Sequence, residues 1–89
     1  MKAVVTVTGK DSVGIIADVA RECSEWGVNI IDISQSVLRE YFAMIMLVDI
    51  DGIKGSFGDF VDGMSRLGDG KGLRISTMHE DIFNTMHHV

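Results

Sequence analysis

The sequence predicts an α+β fold whose strands and helices follow the order βαββαβ. Three observations carry this. Strand-like segments show apolar residues at period two or in unbroken runs, two other segments space them for helices, and glycine-rich turns lie between. No composition shift or low-complexity stretch divides the chain, so residues 1–89 read as a single domain.

The first strand covers residues 3–8, with Ala3, Val5 and Val7 on one side and Val4, Thr6 and Thr8 on the other. A turn follows, in which Asp11 or Ser12 is placed to cap a helix over 13–26. Ile16, Val19, Ala20 and Cys23 form that helix's apolar stripe, Trp26 is a packing anchor, and Gly27 ends the helix. The second strand spans 29–38, with Ile31, Ile33 and Val37 opposed to Asp32, Ser34 and Ser36. Arg39 and Glu40 make a turn into a third strand over 41–50. Its run from Phe42 to Val48 is apolar throughout, the pattern of a strand covered on both faces. After a loop at 51–55, a second helix over 56–67 carries Phe57, Phe60, Val61, Met64 and Leu67 at helical spacing. Gly68, Gly70 and Gly72 predict a flexible turn, and residues 73–78 alternate as a fourth strand. Ile82, Phe83 and Met86 predict a short docked helix within the tail at 79–89.

Sequential strands tend to be neighbours and crossovers are right-handed, so this order favours a split βαβ arrangement. The expected architecture is a ferredoxin-like βαββαβ sandwich: a four-stranded antiparallel sheet, two helices on one face, and the short C-terminal helix. The other face of the sheet lacks a helix layer, yet the third strand is apolar on both sides. A second copy packed there, or beside an edge strand, resolves this, and a homodimer is expected.

The net charge of −5 argues against nucleic-acid binding and against attraction to an anionic membrane, since both need a basic footprint. The single cysteine, Cys23, excludes an intrachain disulfide and sits on an apolar stripe, where inert packing is its expected role. The start of the chain has no signal-peptide run and no segment reaches transmembrane length, so a cytoplasmic location is expected.

The motifs favour binding over catalysis. Gly9 and Gly14 are spaced like a phosphate loop, but Ile15 and Ile16 stand where Lys and Ser/Thr belong, so nucleotide hydrolysis has no support. The N–H groups of Val13, Gly14 and Ile15 at the helix start can hold a carboxylate instead, because such amides lack partners inside the helix. Asn29, at the start of the second strand, is a common turn residue, but its amide also suits a zwitterionic amino acid. Asp32 on the same strand can pair with an ammonium group. His79, His87 and His88 lie near Glu80 and Asp81 without a zinc-like spacing and are expected at the surface. The six methionines fill the core. No nucleophile with its base stands out, so no catalytic residue, cofactor or metal is assigned. The function classes in play are a ligand sensor, a protein-interaction scaffold and, last, a small enzyme.

Thr8-Gly9-Lys10-Asp11-x-x-Gly14-Ile15, followed by Gly27-Val28-Asn29-Ile30 and Asp32-Ile33, resembles the ACT domain over essentially the whole chain. The likeness is nearest to small stand-alone ACT proteins of bacteria and archaea, of unassigned function, whose ending matches His79-Glu80-Asp81-Ile82-Phe83. The chain is also similar to the ACT halves of the glycine cleavage system transcriptional repressor. The resemblance implies a regulatory homodimer that binds an amino acid near its interface and acts on a separate protein. Carried over by position, the ligand-binding residues are Lys10, Asp11, Ser12, Val13 and Gly14 in the loop, with Asn29 and Ile30 at the second strand. The family often has proline before the loop glycine. Val13 stands there instead, which leaves the loop less pre-organised.

Overall fold

The computed structural model describes residues 1–10 and 13–87. Its elements are β1 (Lys2–Lys10), α1 (Ile15–Glu25), β2 (Asn29–Leu38), β3 (Tyr41–Asp49), α2 (Phe57–Lys71), β4 (Arg74–His79) and α3 (Glu80–Met86). The strands form one antiparallel sheet in the order β2-β3-β1-β4, the ferredoxin-like arrangement that the sequence predicts. The two most apolar strands are thereby the inner ones.

Strand parity sorts the residues. Ala3, Val5 and Val7 of β1 and Phe42, Met44, Met46 and Val48 of β3 share a core with Ile15, Val19 and Cys23 of α1 and Phe60 and Met64 of α2. Both long helices therefore cover the same face. Phe60, Met44, Met46 and Met64 are fully enclosed, and burial of each such side chain contributes about 2 kcal/mol. Trp26 anchors the end of α1: its ring meets Phe60 edge-on at 6.0 Å, and its N–H donates to Glu22 at 2.8 Å.

Five local features depart from the sequence expectation. α1 begins at Ile15, with Gly14 as N-cap, so Ile15, Val19 and Cys23 form the buried stripe. Ile16, expected inside, is 39% exposed. In β2 a bulge leaves Ile31 between Ile30, opposite Val48, and Asp32, opposite Leu47. Ile30 rather than Ile31 thus shares its side with Ile33 and Val37, and the Asp32 carboxylate accepts the Ile33 N–H at 2.9 Å. β3 is covered on one face only within the chain, since Tyr41, Ala43 and Ile45 are exposed. His79 is half-buried rather than superficial, stacked on Phe57 at a ring separation of 4.1 Å.

The fifth departure concerns α2, which runs through Gly68 and Gly70 to Lys71 and starts from a Ser56 side-chain cap on the Asp59 N–H. Gly68 does not break the helix. A Cβ there would lie 2.8 Å from the Leu73 carbonyl oxygen and 2.9 Å from Ile75 Cγ1, so its bare backbone lets α2 press onto β4. Gly70 faces open space, with nothing within 4 Å of an added Cβ. The two positions therefore answer alanine oppositely. Gly70→Ala is expected to raise stability by about 0.5–1 kcal/mol through helix propensity. Gly68→Ala is expected to lower it by about 1–3 kcal/mol through overpacking. Urea unfolding of both variants checks the pair.

Candidate functional site

Two grooves run along the edge where α1 meets β2. The first, about 300 Å³, lies at the N-terminus of α1 and is lined by Gly14, Ile15, Ile16 and Ala17 against Gln35, Val37 and Phe42. Gly14 adopts a left-handed conformation (φ 84°), open to glycine at little cost, and has no side chain with which to cap the helix. The first intrahelical bond runs from the Asp18 N–H to the Gly14 carbonyl at 3.0 Å. Among the described residues, nothing accepts a hydrogen bond from the N–H groups of Ile15, Ile16 or Ala17. Those donors, with the helix dipole behind them, favour an anion. The expected set at residues 13–15 is thus shifted toward 15–17 by the later start of the helix.

The second groove, about 440 Å³, lies beyond the other end of α1 and is lined by Ala20, Ser24, Gly27, Val28, Asn29 and Ile30. Asn29 and Ile30 therefore do border a cavity, but not the one beside Gly14. The strand register separates them: Asn29 and Ile30 stand level with Asp49 and Val48, whereas Gln35 and Val37 stand level with Met44 and Phe42. Four to seven residues of β3, roughly 13–23 Å, lie between these levels. Within one chain the seven predicted ligand residues do not converge.

Lys10 is separated in a second sense. Gly9 faces the helices, where a Cβ would meet Leu73 Cδ2 at 2.6 Å, so Lys10 points to the opposite face of the sheet. Val13 is fully exposed. Asp11 and Ser12, named both as cap and as ligand residues, lie outside the described residues. Gln35 was not among the predicted residues: it is the polar one of the helix-facing positions 30, 33, 35 and 37 of β2, a set that only the bulge defines.

The charge beside the first groove is set by Asp18. Its carboxylate stands in the first turn of α1 and would repel an anion at the amides, but Lys71 reaches it at 2.7 Å and Arg21 at 3.5 Å. The hydrogen bond from Lys71 holds the Asp18 carboxyl below its ordinary value of 3.8. Deeper on the same helix, burial pushes the Cys23 thiol up to about 11, so it stays protonated and unreactive. Among the described residues no helix is long and apolar enough to cross a membrane, and no three His, Cys, Asp or Glu side chains are grouped to hold a metal ion.

With this geometry in place, comparison with known proteins assigns the class. The family model for the ACT domain matches residues 2–75, and the chain belongs to the ACT domain family. It is 45% identical over 89 residues to a UPF0237 protein of Clostridium acetobutylicum, covering 100% of both chains. An ACT domain protein from Streptococcus pneumoniae superimposes with a TM-score of 0.81 at 41% identity, covering 93% of each chain. A structure provisionally identified as a glycine cleavage system transcriptional repressor superimposes with a TM-score of 0.69 at 28% identity, over 86% of this chain and 44% of that one. ACT domains are generally regulatory modules that bind amino acids.

The Asp18–Lys71 contact makes a pH prediction. The folded value of Asp18 is lowered, so its contribution to stability is full above the unfolded value and is lost as pH falls through the folded one. Asp18→Asn is expected to be less stable than wild type near pH 6, and the gap is expected to close as pH falls below the ordinary carboxylate range. Thermal melts of both proteins across that range measure it.

Proposed function

We propose that this protein is a homodimeric regulatory module that binds a small amino acid, and that each binding site is completed by two copies of the chain. One observation carries this reading: the two grooves line one open edge, at opposite ends of the edge strand β2. Ile31, Ile33 and Val37 of that strand are 45%, 36% and 56% exposed, an apolar edge that invites a partner. A two-fold axis perpendicular to the sheet pairs β2 with its own copy and runs the two strands antiparallel. The Asn29–Ile30 groove of one copy then lies beside the Gly14–Ala17 groove of the other.

In that composite site the ligand's carboxylate sits on the Ile15–Ala17 amides, and the polar groups of Asn29 and Ser24 from the other copy face its ammonium end. Binding favours the paired state and so passes a signal to a separate protein, an enzyme or regulator. Only the difference in affinity between the two states can drive that signal. The ACT family membership, and the likeness to a structure provisionally identified as a transcriptional repressor, support a regulatory role.

A thermal-shift screen against the common amino acids tests the proposal. At about a hundred times its dissociation constant, a ligand is expected to add about 2.7 kcal/mol of stability. Binding should saturate at two ligands per dimer and weaken when Ile33→Lys disrupts the edge. A screen in which no amino acid shifts the melting temperature at millimolar concentration would contradict the ligand. The scaffold reading would then stand, in which the same dimer modulates its partner without one.

A further inference from the structure

The face of the sheet opposite the helices is only half covered. Val4 points away from the core cluster yet is 4% exposed, and α3, which contacts β1 and β4, is the element that shields it. Beyond α3 the face is open, and the strand register orders it into rows. One row runs Arg74, Thr8, Ala43 and Ser36 across β4, β1, β3 and β2. The next runs Lys10, Tyr41 and Leu38 across β1, β3 and β2. Cross-strand partners project to one side, and Gly9 faces the helices, so both rows stand on the open face.

Over these rows lies a cavity of about 400 Å³, lined by Thr8, Ser36, Leu38, Tyr41 and Ala43. Ala43 is a small floor between the larger Tyr41 and Ile45, and Tyr41 and Leu38 are exposed apolar walls. The cations stand to one side: Lys10 is the cross-strand neighbour of Tyr41, and Arg74 that of Thr8. Neither makes an ion pair among the described residues. The hydroxyls of Thr8, Ser36 and Tyr41 make no hydrogen bond there either, whereas Thr6, one row further in, donates to the Ser76 carbonyl at 3.5 Å. Among the described residues no carboxylate lines the cavity. It is thus apolar on its β2–β3 side and cationic toward β4. Strands lie about 4.8 Å apart, so the Arg74 backbone is about 10 Å from that of Ala43, a span that its side chain and a small ligand cover together.

We propose that this cavity is a second ligand site, and that it takes a small organic anion with a flat apolar body, of the aromatic carboxylate class. The ring lies over Ala43 between Tyr41 and Leu38, held by aromatic contact and burial of apolar area. The carboxylate extends toward Lys10 and Arg74, and the Thr8 hydroxyl donates beside them. An amino acid fits this arrangement poorly. Its ammonium group meets two cations and finds no lining carboxylate, and a desolvated charge without a partner is costly. The cavity and the two grooves along the β2 edge therefore select different ligands. Because α3 occupies the adjoining half of the face, the open part admits a small molecule more readily than a broad surface.

This site stands independently of the amino-acid reading. Heteronuclear NMR titration of the full chain with phenylpropionate tests it, beside two matched probes. Phenylalanine adds an ammonium group to that acid, and phenylpropionamide removes its charge. Phenylpropionate is expected to bind with a dissociation constant of about 1 mM and to shift the backbone N–H signals of Thr8, Ser36 and Ala43. Both other probes are expected to shift those signals with about fivefold weaker affinity. Arg74→Gln, an exposed change that leaves the core untouched, is expected to weaken phenylpropionate about fivefold. Ala43→Leu fills the floor and is expected to abolish the shifts, with folding checked by circular dichroism. Shifts confined to Gly14–Ala17 or to Asn29 would overturn the proposal, because the acid would then occupy the edge grooves. Equal affinity for the acid and its neutral analogue would overturn it too, as would unchanged binding in both variants or no shift at about 10 mM.

Discussion

The register of β1 constrains everything else in this molecule. β1 lies between β3 and β4, and its odd-numbered residues Ala3, Val5 and Val7 are completely enclosed against the helices. A slip of one residue would turn these toward water and bring Thr6 and Thr8 into the core, so the alignment is strongly fixed. From it follow the outward direction of Lys10, the level at which α1 begins, and the level at which β2 begins. The distance between the two grooves is a consequence of this alignment.

In the proposed dimer, that distance is the physical reason for the module to associate. On the proposed reading, a site whose halves lie roughly 13–23 Å apart along a strand does not close on one small amino acid within a chain. An exposed edge strand joins the two grooves and already offers unsatisfied backbone groups and apolar side chains. Pairing satisfies both needs at once, and ligand affinity becomes coupled to association, which is what a regulatory element requires. On the same proposal, the Asp18–Lys71 pair offsets the charge of a carboxylate that would otherwise compete with an anion at the Ile15–Ala17 amides.

The fold was largely legible in the sequence because period-two alternation survives in β1 and β4 and β3 reads as an unbroken apolar run. It failed where packing overrode local preference. Gly68 looks like a helix breaker, yet its contact with Leu73 and Ile75 makes it a packing surface. Ile31 looks like part of an alternating stripe, yet the bulge removes it. The site was legible as residue types rather than as a place. Gly14, Asn29 and Ile30 all border cavities, but in the proposed dimer their convergence depends on a neighbouring chain, and sequence spacing carries no record of that. Gln35 escaped notice because a lone polar residue on a strand signals nothing until its facing side is known.

Mixing two damaged forms of the protein tests the central claim most directly. One form carries Gly14→Asn, which tolerates the left-handed backbone and places a side chain over the amides. The other carries Ser24→Trp, which fills the second groove. Each alone should bind poorly an amino acid that stabilises the wild type. If sites are shared between copies, refolding the two together restores one intact site in each mixed dimer, about a quarter of the wild-type capacity by calorimetry. A mixture that binds no more than its separate components would contradict the shared site.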